Sequence, residues 1–309
     1  MYLGSDNYLG STAYLGDGDS GDIPEPTGDE TLIEWRDLAL HGCVGRFTIN
    51  SLEGWDDLPD ARTQWDPRPN QHGVFDAPVY ASERHVMVSG LCKRRDQRDA
   101  LLRELKRGMT FGPHAEQLTI THAGQRLSVA ARLVRFQPSN QWWGAGVFPW
   151  TAEWVAPDPF RYGQQRQVYT TLPELKGGLN FDLFTDGEDV TGWLDFGEAG
   201  SSGRITLSND GDADAHPTFA VRGPAPEGFT ITNVQTGRRI VSTTVVPAGS
   251  TLTIHTANGT AYLDGADRSG QLTVREWTPI PPGESYTFQF TAPTFTSAAL
   301  VGSIRDTFW

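Results

Sequence analysis

Phe148, Trp150, Ala152, Trp154 and Ala156 occupy alternate positions, with Pro149, Thr151, Glu153 and Val155 between them. A period of two with one aromatic face predicts a strand over 142–156, in the stretch 142–162, its Trp150 and Trp154 turned into a core. The pattern stops at Ala156-Pro157-Asp158-Pro159, where two prolines remove backbone donors and fix φ. Pro157, Asp158 and Pro159 therefore read as a stiff exit from a first domain; the alternative is an ordinary core strand inside one larger domain. Upstream, Leu32, Ile33, Trp35, Leu38 and Leu40 begin the folded region, and strands are predicted at 46–52, 84–90, 118–122 and 127–136. Helical spacing is convincing only at 95–107, where Ala100, Leu101, Leu102 and Leu105 form a stripe, Asp96 can cap the start and Gly108 can end it. A long polar loop with Trp65, Asp66-Pro67, Pro69 and His72-Gly73 lies between the first two strands.

Beyond residue 161 the helical period is absent. Short alternating runs recur at 203–208, 218–222, 229–233, 239–245, 251–256, 261–264, 271–277, 285–291 and 299–305, and 172–200 reads as an extended lead-in. Asn258-Gly259 is a hairpin signal, and Asp264-Gly265 and Pro281-Pro282-Gly283 punctuate further. Strands at this spacing predict a sandwich or jelly roll. The fold class is mainly β: a β-barrel or split barrel carrying one helix over 31–160, then a β-sandwich over 161–309.

Residues 1–30 differ. Tyr2-Leu3-Gly4, Tyr8-Leu9-Gly10 and Tyr14-Leu15-Gly16 recur every six residues before an acidic Gly-rich run. Such a segment cannot bury enough to fold alone, so it reads either as an arm that orders on a neighbouring surface or as a loose terminus. Tyr2, Tyr8 and Tyr14 are its candidate contacts.

The net charge of −13 argues against phosphate binding and nucleic-acid recognition. One basic cluster runs from Arg84 to Arg107, but Asp96, Asp99 and Glu104 interleave with it, and it reads as a solvated helix face. Its Arg94, Arg95 and Arg98 are candidate partner contacts. Cys43 and Cys92 form no CxxC or zinc pattern and read as buried thiols. The start lacks a signal-peptide pattern, and no apolar run is long enough to span a bilayer, so synthesis in a cytoplasm is expected.

Catalytic chemistry finds little support. No G-x-S-x-G is present, and His41, His72, His85, His114, His122, His216 and His255 lack metal-ligand spacing. Asp210-Gly211-Asp212-Ala213-Asp214 resembles a calcium loop, but position six is Ala215 and position twelve Val221, so a hairpin tip is expected. No catalytic, cofactor or metal residues are assigned, and the chain is not read as an enzyme.

The order of short motifs carries more. Gly54-Trp55-Asp56, His72-Gly73, the helix and Asp158-Pro159-Phe160-Arg161-Tyr162 are followed by Asn209-Asp210-Gly211, His216-Pro217 and Gly223-Pro224. Then come Asn233-x-x-Thr236-Gly237, Pro247-Ala248-Gly249-Ser250 and Trp277-x-x-Ile280-x-Pro282-Gly283. This order resembles the siphophage distal tail protein family over residues 31–305. The resemblance implies a tail-tube-like barrel and a galectin-like sandwich. It implies a homohexameric ring in the virion, assembled in the host cytoplasm, that joins the tail tube protein to the tail tip hub protein. Exposed sheet edges of the barrel would then be covered by neighbours. The competing function is a carbohydrate-binding attachment protein that takes a host surface glycan through Tyr262, Trp277 and Tyr286. Neither reading involves a membrane.

Overall fold

The structure, a computed structural model, describes residues 31–42, 46–63, 65–92, 97–141, 145, 147–174 and 200–309. The chain divides into two compact units, Met1–Gly163 with Trp309, and Gln164–Phe308. The proline exit at 157–159 precedes this division by a few residues.

The first unit contains β1 (Leu32–Trp35), β2 (Leu38–His41), β3 (Phe47–Glu53), β4 (Ala61–Arg62), β5 (Tyr80–Ala81), β6 (Arg84–Cys92), α1 (Arg98–Gly108), β7 (Glu116–His122), β8 (Gln125–Pro138), β9 (Phe148–Ala156) and β10 (Arg161–Tyr162). Seven of these strands close into a barrel in the order β1-β2-β3-β6-β9-β8-β7. All neighbours are antiparallel except β2 and β3, which meet in parallel through the pair His41 and Thr48.

β9 closes the barrel because it pairs on both sides. It runs along β6 from Arg84 opposite Ala156 to Cys92 opposite Phe148, and along the far half of β8 from Arg132 to Pro138. Its alternate residues from Phe148 to Ala156 are all buried. A register shift in β8 between Leu133 and Arg135 bends that strand, as barrel closure requires. Inside, the rings of Trp35 and Trp154 meet edge to face at 5.8 Å. Gly90 lies opposite Trp150, and a Cβ there would stand 2.4 Å from the Trp150 ring and 2.1 Å from the Thr48 carbonyl oxygen. Only glycine fits beneath that ring.

Each of the seven strands has a neighbour on both sides, with β2 and β3 joined by a single residue pair. Two boundaries move. The helix starts at Arg98 rather than 95, after Gln97, whose side chain makes no capping bond. The aromatic strand starts at Phe148. Asp96, Trp142 and Trp143 lie outside the described residues.

The second unit is a sandwich. One sheet has the order β11 (Arg166–Thr171), β21 (Ala299–Ile304), β13 (Thr218–Arg222), β16 (Thr251–His255), β17 (Thr260–Leu263), β18 (Ala266–Asp267). The facing sheet has the order β12 (Arg204–Ser208), β20 (Ser285–Thr291), β14 (Phe229–Asn233), β15 (Arg239–Ser242), β19 (Leu272–Arg275). A short β22 (Thr307–Phe308) ends the unit. Phe219 of β13 and Phe288 of β20 bring the two sheets together, their rings 5.0 Å apart. The mainly-β expectation, barrel with one helix and then sandwich, holds. The 210–214 string is not a hairpin tip. It connects β12 to β13, which lie in different sheets. Most of 172–200, read as a lead-in, lies outside the described residues.

Candidate assembly surface

Helix α1 is fixed to the barrel along one side. Leu101, Leu105 and Met109 are buried, and Gly108 lies so close to Leu38 that a Cβ would meet it at 2.3 Å. The β1–β2 turn supplies the lock. Arg36, at φ 53°, donates from Nε to Glu116 Oε2 at 2.6 Å and from Nη2 to Glu116 Oε1 at 2.5 Å. Its Nη1 donates to the carbonyl oxygens of Gly108 and Thr110 at 3.2 and 3.0 Å. A cation there meets the negative end of the helix dipole. The hydrogen bond with Arg36 holds the Glu116 carboxyl below its ordinary range, and the same bond raises the guanidinium. Arg46 meets Glu104 at 3.3 Å. Arg103, Lys106 and Arg107 remain on the exposed face without a carboxylate partner among the described residues.

The second feature of this unit is the excursion between β3 and β6. Strands β4 and β5 pair Ala61 with Ala81 and Arg62 with Tyr80, and Pro67 bridges Val74 nearer the tip. Phe75 N–H donates to the Asp66 carbonyl at 2.9 Å, and the Arg68 guanidinium lies 5.6 Å from the Phe75 ring. Backbone pairing shapes the excursion, yet it has no core. Leu58, Trp65, Phe75, Val79 and Tyr80 are all more than half exposed.

Two buried arginines shape the exit from the barrel. Arg84 is 1% exposed and donates to four carbonyl oxygens: Pro159 at 2.8 Å from Nε, and Gly54, Trp55 and Asp57 at 3.0, 2.8 and 2.7 Å from Nη1. Arg161 pairs with Asp56 at 2.8 Å, donates to the Trp309 carbonyl oxygen and lies over the Trp55 ring. Asp158 accepts from the Phe160 N–H at 3.2 Å and from the Tyr162 hydroxyl at 2.6 Å. The motifs 54–56 and 158–162 are therefore bound into one structure. The sequence offered no direct signal for Arg84, which stood in a basic cluster read as solvated; it and Arg98 are buried.

Trp150 and Trp154 lie inside the barrel at 1% and 0% exposure, while Pro157 and Pro159 flank the Asp158 turn at the surface. Tyr2, Tyr8, Tyr14, Arg94, Arg95 and Cys43 lie outside the described residues, and Cys92 is buried. In the second unit Tyr262 is part-exposed beside His255, whereas Trp277 and Tyr286 pack partly against the core. Among the described residues, no three His, Cys, Asp or Glu side chains converge in a way that would hold a metal ion. No helix among them is long and apolar enough to cross a membrane.

Residues 210–298 match the family model of the siphovirus-type tail component, C-terminal domain. No curated protein matches the chain in sequence. The crystal structure of phage SPP1 Dit, described as a paradigm of the hub adsorption apparatus in phages infecting Gram-positive bacteria, superposes with a TM-score of 0.60 at 11% identity, covering 90% of this chain and 99% of that one. Two structures of the phage P2 baseplate in its activated conformation, with Ca and with Sr, give TM-scores of 0.42 and 0.45 at 10% identity, covering 90% and 89% of this chain and 97% of each matched chain. Residues 210–298 are thus similar to the siphovirus-type tail-component C-terminal domain, and the fold of the described residues is Dit-like.

Proposed function

We propose that this protein is a structural component of a siphophage tail tip, that it forms a ring of identical subunits, and that the ring joins the tail tube to the tip hub. The observation that carries the reading is the tail-component match at 210–298, set in a chain whose two-unit fold follows SPP1 Dit over nearly its whole length. The chemistry agrees with a role in assembly. The closed barrel is a rigid block, and its helix is locked to it by Arg36 and Glu116. A ring requires head-to-tail contacts that close on themselves, so two different surfaces of one subunit must be complementary. An acidic wall around a channel would repel the DNA backbone and favour passage over sticking.

Negative-stain images of purified protein, together with tails labelled by an antibody to it, test the reading. The expected result is rings with a central hole and label at the tail tip. Monomers at every concentration, or label on the capsid, would overturn it.

A further inference from the structure

We propose that the β3–β6 excursion is a docking arm, and that its occupant is the exposed face of α1 on a second copy of this chain. The proposal deepens the ring reading and rests on it.

The excursion is ordered, and what orders it is backbone. Besides the two β4–β5 pairs and the Pro67–Val74 bridge, Ser82 N–H donates to the Asp60 carbonyl at 2.8 Å and Arg68 N–H to that of Gly73 at 3.2 Å. A two-stranded hairpin of this kind is marginal in water unless something packs on its side chains. Among the described residues, Trp65, Val74, Phe75, Val79 and Tyr80 stay exposed by 40–59%, with only the Arg68 guanidinium against the Phe75 ring. An apolar set of this size on an ordered projection marks a contact surface.

Charge selects the occupant. The excursion carries Asp60, Asp66, Asp76 and Glu83 against Arg62 and Arg68, so it disfavours an anionic partner such as nucleic acid or a phospholipid surface. The face it calls for is basic, with a hydrophobic floor. The exposed side of α1 offers Arg103, Lys106 and Arg107, with Ala100 beside them, while Arg46 occupies Glu104. Among the described residues, Asp60, Asp66 and Asp76 have no cationic partner, and Arg103, Lys106 and Arg107 have no carboxylate partner. An acidic arm and a basic helix on the same chain form a heterologous pair, the contact type that builds a ring.

Charge reversal on the full chain tests the pairing, with self-association followed by sedimentation velocity. Asp66→Lys with Asp76→Lys, or Arg103→Glu with Lys106→Glu, is expected to weaken association at least about tenfold, and the four changes together to restore it. All four positions are exposed, so thermal melting should be unchanged, which separates lost docking from lost folding. If wild type associates and neither pair of changes weakens it, the arm proposal is overturned while the ring reading stands. The same holds if each pair weakens association but the combination fails to rescue, since the arm then meets some other surface. Wild type that stays monomeric at every concentration would overturn both.

Discussion

At the scale of single residues, the barrel interior combines large aromatic volume with unpaired donors. Trp150 and Trp154 are among the largest fully buried side chains, and their indole N–H groups, with that of Trp35, have no hydrogen-bond partner among the described residues. Volume and polarity therefore pull in opposite directions. Trp150→Ala removes a ring that packs over Gly90 and should cost about 3–5 kcal/mol. Trp150→Phe keeps most of the volume and removes the unpaired donor, so its cost should be clearly smaller, below about 2 kcal/mol. Urea unfolding of the two variants, followed by near-UV circular dichroism, checks the order. Equal costs would mean that the N–H group has a partner after all.

At the scale of elements, strands that bury one face were legible and strands that bury neither were not. Thr218–Arg222, Phe229–Asn233 and Ser285–Thr291 appear with the bounds that alternation predicts. β11 has only Thr170 buried, so it carries no alternation to read. Three of the motifs behind the family resemblance are turns whose geometry favours those residue types. Asn233 Oδ1 accepts from the N–H groups of Gln235 and Thr236 at 3.0 Å each, and Gly237 follows at φ 71°. Gly249 and Gly283 hold φ 83° and 70° in two of the other motifs. Much of the candidate assembly surface was not legible, because exposed loops have no period. The lock on α1 was equally hidden, since Arg36 and Glu116 are far apart in sequence, yet it makes a pH prediction. The hydrogen bond with Arg36 lowers the Glu116 carboxyl in the folded chain. A carboxyl depressed on folding contributes stability that is full above its unfolded value, about 4.3, and is lost as pH falls through the lower folded value. Glu116→Gln should therefore flatten the acid limb of the stability curve, and thermal melting of both proteins from pH 6 downward measures it. An unchanged acid limb would show that Glu116 is not held by Arg36 in solution.

At the scale of the whole molecule, the two units carry separate cores, and each is sensitive to a different kind of substitution. The barrel depends on aromatic volume; the sandwich depends on the phenylalanine pairs and on one buried amide. Asn209 is fully buried, donates from Nδ2 to the carbonyl oxygens of Ala213 and Ile280 at 2.7 and 2.9 Å, and accepts on Oδ1 from the N–H groups of Gly211 and Thr307 at 3.1 and 3.3 Å. Asn209→Asp sets a carboxyl oxygen against two carbonyl oxygens in a buried site; ionised, that oxygen faces acceptors with no donor of its own, and protonated it serves only one of the two, so the cost should be about 3 kcal/mol. Trp150→Ala strikes the other core. A chain with two cores should show two calorimetric transitions, because two-state behaviour belongs to single domains. Asn209→Asp should then lower one of them and Trp150→Ala the other, and the pair of variants assigns each transition to its unit. If both substitutions lower a single shared transition, the units unfold as one, and the boundary at Gly163 and Gln164 has geometric but no thermodynamic meaning.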